Sequence, residues 1–369
     1  MYSFTYFHLI FLRMKFRYYW EVKEALGDYQ IPSKVHPFTL LTAFSLYVFK
    51  QERVEAAILE VGIGGEFDST NAVRNPVVCG INKLELDHCN TLGESIEEIA
   101  WHKAGIMKRG VPVFTIPQQE SAAIEILRER ADGRGASLSF ASPLEAYKNH
   151  EKLAIGAEVK HKLLNASLAV SLCKEWLRKC RRYEDGDFYL DDKFVKGLTT
   201  VKQVGRSQTV QVDENLTFYI DGAHTNKSVE FALQWFETKA KSKDSLKMLV
   251  FMPPVTREPS VMLDLLHKSN FDKVFFTPYC VAEPGRVTTL KECEKTSQLA
   301  YDDAIAHRKK CVEMWTEMNS TNLNVVECKS VLDTFEKIKE KSQHRRTQVF
   351  VVGSFNLVGS FLRVISSEI

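Results

Sequence analysis

Three short stretches of the 369-residue chain set carboxylate, imidazole and amine groups beside glycines, the residue types that handle metals and phosphates. Residues 58–71 read ILEVGIGGEFDSTN, so Glu60 stands just ahead of Gly62, Gly64 and Gly65. A carboxylate at a strand end suits a hard cation such as Mg2+, because open α/β sheets bind ligands beyond the carboxyl ends of their strands. The same pattern serves a Glu that caps a turn whose glycines only supply positive φ. GxGG falls short of the GxGxxG spacing of a dinucleotide fold. Residues 84–93 read LELDHCNTLG, where Asp87 can orient the His88 imidazole toward a metal or phosphate, or else Asp87 or Asn90 caps the next helix. In WHKAGIM, residues 101–107, Lys103 is either an amine near anionic groups or part of a plain helix end at Gly105. Farther on, Gly205-Arg206 precedes one apolar run and Asp221-Gly-Ala-His224-Thr225 follows it. An Asp there can accept hydrogen bonds from a ribose and an Arg can fork onto phosphate oxygens; a turn Asp and a solvated Arg give the same letters.

The elements that must position these groups follow from apolar periodicity. Short apolar runs at 55–61 (EAAILEV), 76–81 (PVVCGI) and 111–116 (VPVFTI) predict buried strands, with helices over 94–108, 120–131 and 163–179. After Arg206 the alternation restarts: strands over 216–220, 248–251, 273–276 and 348–352, helices over 228–239, 297–318 and 355–365, with Val325 and Val326 following the second of these helices. Residues 183–192, acidic and aromatic, predict a loop. Strands alternating with helices predict an α/β protein with two parallel-sheet lobes of Rossmann-like type, residues 1–205 and 206–369.

Composition bounds the function. With 44% hydrophobic and 26% charged residues the chain is globular, and its length fits about two domains. A net charge of +2 excludes a nucleic-acid binder driven by bulk electrostatics. The 8 cysteines form no CxxC, which points to reduced thiols rather than a zinc site or a secreted disulfide framework. Residues 2–12 are apolar and aromatic and precede Arg13, Lys15 and Arg17, the reverse of a signal peptide; at a span requirement of about 20 residues the run is also too short to cross a bilayer. It predicts a buried helix, with a signal anchor as the alternative.

In order, LEVGIGGEFDSTN, PVVCGI, LDHCNTLG, IAWHKAGI, GVPVFT, GRSQ, YIDGAHT and VVGSFNLVGSFLRVI resemble folylpolyglutamate synthases of the Mur ligase superfamily, from about Phe4 to Ile369. The resemblance implies an ATP-dependent ligase that phosphorylates the folate γ-carboxylate and lets glutamate attack the acyl phosphate. It makes Glu60 and His88 the Mg2+ ligands and Lys103 a lysine that is carbamylated in several relatives. Arg206, Asp221 and, beside them, His224 become nucleotide contacts of the second lobe. ATP and Mg2+ are the implied cofactors, with K+ a further candidate cation. Folate and L-glutamate are the other small-molecule partners, with no nucleic acid and no membrane span, in a monomer of the cytosol or mitochondria. Alternatives are a short form without catalysis, a folate-binding remnant, or a dihydrofolate synthase acting on dihydropteroate.

Departures from the family matter as much. The sequence contains no GxxGKGS phosphate loop, whose backbone N–H groups and lysine grip the nucleotide and whose serine also binds magnesium. The resemblance therefore implies an incomplete N-terminal Mur-ligase-type domain with an open sheet edge and exposed apolar surface. Residues 252–257 read MPPVTR where relatives carry Asn, Thr and Gly before the Arg, and Val204 replaces a proline. The expected outcome is that these 369 residues alone, given MgATP, tetrahydrofolate and labelled glutamate, release no phosphate and incorporate no label. Magnesium-dependent incorporation would refute it.

Overall fold

The computed structural model describes residues 36–153, 160–180, 189–201, 203–240, 244–284, 298–318 and 324–368. The apolar N-terminal helix predicted from sequence and residues 183–188 of the acidic stretch lie outside them. The chain divides into two compact units, Met1–Val201 and Lys202–Ile369.

In the first unit three parallel strands, β1 (Cys79–Ile81), β2 (Pro112–Thr115) and β3 (Ser137–Phe140), lie in that order, with Cys79 opposite Val113 and Val113 opposite Leu138. Helix α1 covers Pro37–Gln51 and a single turn, α2, covers Cys89–Leu92. Helices α3 (Ile96–Ala104) and α4 (Ser121–Arg134) follow, then α5 (Lys160–Lys179) and α6 (Asp192–Thr200). The apolar faces of α3 and α4 close on the strands a core of Ile81, Leu84, Ala100, Ala104, Met107, Val113, Leu127 and Ala131. Helix α3 starts where the backbone finds reciprocal partners: Ser95 accepts from the Glu98 N–H while the Glu98 carboxylate accepts from the Ser95 N–H. The cap is thus Ser95, not Asp87 or Asn90; Asn90 lies inside α2 and Asp87 accepts the His88 N–H instead.

Residues 55–61 are not a strand. They run as irregular, largely exposed chain, with Ile58 84% exposed. An apolar run becomes a buried strand only when neighbours take up its N–H and C=O groups. Among the described residues β1 pairs with β2 alone, and nothing forms a ladder with 55–61.

Among the described residues the second unit holds six strands: β4 (Gln208–Gln211), β5 (Leu216–Asp221), β6 (Leu246–Phe251), β7 (Lys273–Phe276), β8 (Val325–Glu327) and β9 (Thr347–Val352). Their order is β4-β5-β9-β6-β7-β8, parallel throughout except for the edge strand β4, which runs antiparallel to β5. Helices α7 (Asn226–Lys239), α8 (Ser260–His267), α9 (Gln298–Met318), α10 (Val331–Ser342) and α11 (Phe355–Glu368) supply the crossovers that parallel strands require and the closing helix. Strand β9, central in the sheet, is buried at every residue, the continuous apolar pattern of a strand covered on both faces. Phe350 stacks on Phe236 of α7 at 4.8 Å and 13°, while Phe218 meets Phe335 of α10 and Phe361 of α11 on the other side. Among the described residues no helix is long and apolar enough to cross a membrane.

Chain order returns to the sheet centre at β9. Asp221 of β5 and Phe251 of β6 both lie opposite its last residue, Val352, so their carboxyl ends lie level at the point where strand order reverses, the place where open α/β sheets have their ligand crevice. Phe350→Ala removes the ring that joins β9 to α7 and is expected to destabilise the second unit by about 3–5 kcal/mol, read by denaturant titration.

Candidate functional site

Two sets of residues emerge, one in each unit. In the first, the glycine stretch lies flush against the C-terminal turn of α3. A Cβ on Gly65 would sit 2.8 Å from the His102 carbonyl oxygen and 3.0 Å from that of Lys103; one on Gly105 would sit 2.3 Å from the Glu66 Cα. Gly64 adopts φ +70, open to glycine without strain. The Glu66 N–H donates to the His102 carbonyl at 2.8 Å, so the loop and the turn bearing Lys103 share a backbone hydrogen bond.

Acidic side chains hold the loop in shape. Asp68 accepts from the N–H groups of Gly62 (3.0 Å), Ile63 (3.1 Å) and Thr70 (2.9 Å) and from the Thr70 hydroxyl (2.6 Å). Glu66 pairs with Arg130 and Arg134 of α4, and Arg134 also donates to the carbonyls of Gly105 and Met107. The Arg130 guanidinium lies 4.2 Å over the Trp101 ring. None of these four charged residues was singled out from sequence. The signals were present: Asp-x-Thr is a local turn pattern, and Arg130 and Arg134 are spaced to share a helix face.

His88 sits in the left-handed region at φ 55, ψ 35, where it starts α2. Its side chain is 44% exposed, with Nε2 3.8 Å from the Asp87 carboxylate. Left-handed non-glycine residues cost energy and concentrate at sites where geometry matters. Lys103 is largely withdrawn from water; burial pushes its pKa below the ordinary lysine value, and the Asp87 carboxylate works against that shift. Asp87 therefore lies beside His88 and acts electrostatically on Lys103. Glu60 lies on the exposed irregular segment leading into the glycines. Among the described residues no three His, Cys, Asp or Glu side chains converge as a metal cage. Among these groups the exposed Glu60 carboxylate is an oxygen donor of the kind that a hard cation such as Mg2+ takes, with waters and phosphate oxygens completing its shell.

In the second unit Asp221 ends β5 at 6% exposure with donors on both oxygens. Oδ2 accepts from the Ser207 N–H at 2.7 Å, Oδ1 from the Ala223 N–H at 2.9 Å, and Arg206 Nη1 lies 3.8 Å from Oδ1. The turn beneath is tight: Gly205 has φ +73, Ser207 φ +43, and the Gly222 N–H donates to the Gly205 carbonyl. His224 Nδ1 lies 2.9 Å from the Gly222 carbonyl, an acceptor, so Nδ1 donates its N–H there. Thr225 and Ser228 then cap α7 reciprocally. Arg206, Asp221 and His224 thus lie together at the β5 end of the crevice.

These units have counterparts. A family model described as "Dihydrofolate synthetase, C-terminal domain" matches residues 206–364, within the second unit. Over 368 aligned residues, 94% of the chain, the sequence is 33% identical to folylpolyglutamate synthase of Saccharomyces cerevisiae, and it spans 66% of the length of that relative. The chain belongs to the folylpolyglutamate synthase family. Among solved structures it resembles folylpolyglutamate synthase of Thermotoga maritima (TM-score 0.65, 20% identity, 95% of this chain and 75% of that one). It also resembles a bifunctional folylpolyglutamate synthase/dihydrofolate synthase of Yersinia pestis complexed with AMPPNP and a Mn ion (TM-score 0.60, 19% identity, 94% and 74%). At such identities these two likenesses establish the fold.

Because Asp87 opposes the depression of the Lys103 pKa, Asp87→Asn is expected to lower that pKa further and raise the neutral amine fraction at any given pH. An NMR titration of 13C-dimethylated Lys103 reads the change; an upward move would count against the pairing.

Proposed function

We propose that these residues belong to an ATP-dependent amide-forming ligase that adds glutamate to the γ-carboxylate of folates through an acyl phosphate. What supports this most is the second-unit arrangement: a guanidinium beside a buried carboxylate, at the carboxyl ends of parallel strands where strand order reverses. Membership of the folylpolyglutamate synthase family gives that arrangement its substrate class, and the AMPPNP and Mn bound by the Yersinia pestis relative support a nucleotide with a divalent ion.

Phosphoryl transfer asks a protein to hold several negative charges in register while one group moves. In this reading Arg206 grips phosphate oxygens, Asp221 fixes the turn that carries Arg206, and His224 lines the same nucleotide pocket. Glu60 and His88 would hold Mg2+, which supplies charge neutralisation at the terminal phosphates. Lys103, half-buried and with its pKa depressed, has the raised neutral-amine fraction that reaction with CO2 to a carbamate requires. K+ is a further cation in this proposal.

The test uses a form of the protein bearing a GxxGKGS loop ahead of these residues. Glu60→Gln and His88→Ala are each expected to abolish ATP-dependent incorporation of labelled glutamate into tetrahydrofolate; normal turnover in either removes that residue from the site. A dihydrofolate synthase is the second reading, favoured by the description of the matching family model. Dihydropteroate outcompeting tetrahydrofolate as acceptor in the same assay would select it.

A further inference from the structure

The crevice of the second unit contains a residue that the functional reading above has not used. Phe355, the first residue of α11, is 44% exposed although its helix is otherwise anchored by Leu357, Val358, Phe361, Val364 and Ile365, all fully or almost fully buried. A solvent-facing phenyl at that position adds little to the core. What it touches is the candidate nucleotide site. The Arg206 guanidinium carbon lies 4.2 Å over its ring centroid, and the His224 ring packs against it edge-on at 6.0 Å and 60°. The ring also occupies the space left by Gly222, whose added Cβ would fall 2.6 Å from Phe355 Cδ1.

We infer that Phe355 is a positioning residue that holds Arg206 and His224 for an anionic nucleotide through the face and edge of its ring. Arg206 is clamped from two sides, by the ring face and by Asp221 Oδ1 at 3.8 Å. A guanidinium stacked on an aromatic face gives up less rotational freedom when it meets a phosphate. Gly222 is required for the same reason, since any side chain there would lift the ring from its place. A leucine at 355 would still shield the glycine turn, but it offers no π face. Leucine and tyrosine therefore separate positioning from mere filling.

The inference rests on the nucleotide reading of this site, so the experiment has two arms on the full chain. In the first, with arginine isotopically labelled and Arg206 assigned by Arg206→Lys, the ring current of Phe355 is expected to hold the Arg206 side-chain signals upfield. Phe355→Leu should release them, Phe355→Tyr should keep them, and thermal unfolding should stay near wild type in both. Arg206 signals that ignore Phe355→Leu, or that move equally in Phe355→Tyr, overturn the inference. In the second arm MgADP is titrated against the Arg206 signals, and Phe355→Leu is expected to need about three- to tenfold more nucleotide, the scale of a lost cation–π contact, with Phe355→Tyr near wild type. Equal ADP response in wild type and Phe355→Leu overturns the positioning role alone. No ADP response in wild type, with the ring-current shift intact, overturns the nucleotide reading and the purpose assigned to Phe355 with it.

Discussion

Once β5 carries Asp221 below the surface, its carboxylate must be met by donors inside the fold, because an unpaired buried charge costs several kcal/mol. The donors come from two turns that approach it from different parts of the sequence, the N–H of Ser207 and the N–H of Ala223. Both turns need glycine. Gly205 takes positive φ, and Gly222 lets its turn lie against the Gly205 carbonyl and under the Phe355 ring. With the turns locked, Arg206 has a defined origin, an anion on one side and a ring face on the other. The chemistry assigned to the crevice is thus downstream of one satisfied carboxylate.

The first unit uses the same device with different residues. Asp68 gathers three backbone N–H groups and a hydroxyl of its own loop, and Glu66 fastens that loop to two arginines of α4. These acids are spent on shape. Glu60, by contrast, is exposed, which is the state a carboxylate needs if it is to give its lone pairs to an ion. An acid that builds is recognised here by where its oxygens already go, not by residue type.

That distinction marks how far the sequence could be read. Strands β5, β6, β7 and β9 and helices α3, α4, α5 and α9 stand out as apolar runs or periodic patterns, since burial of a regular element writes its period into the residues. Strand β3, with serines at two of four positions and little burial, writes none, and the antiparallel β4 alternates over only four residues. The candidate residues Glu60, His88, Lys103, Arg206, Asp221 and His224 were visible because glycines and apolar runs frame them. Arg130, Arg134 and Phe355 were not, because each acts through a partner distant in sequence: Glu66 lies 64 and 68 residues from the two arginines. The Ser95 cap was legible in principle, as S-x-x-E before an apolar run, yet Asp87 and Asn90 upstream offered competing caps.

The failure at residues 55–61 has a different cause and a structural consequence. Strand propensity measures how well a segment fits a buried, pleated surface, and that surface has to be supplied by other chain. Without a ladder among the described residues, the segment has neither register nor burial to locate it, and Ile58 stays in water. Among the described residues Glu60 is held from its C-terminal side, by the Gly62 and Ile63 N–H groups on Asp68 and by the backbone bond from Glu66 to His102. Those contacts begin two residues beyond Glu60. They fix the loop against the turn that carries Lys103, while leaving the carboxylate itself the least constrained of the charged groups assigned to the metal. A paired strand at 55–61 would remove that freedom, since ladder hydrogen bonds fix both the height of a residue along the sheet and the face toward which its side chain projects.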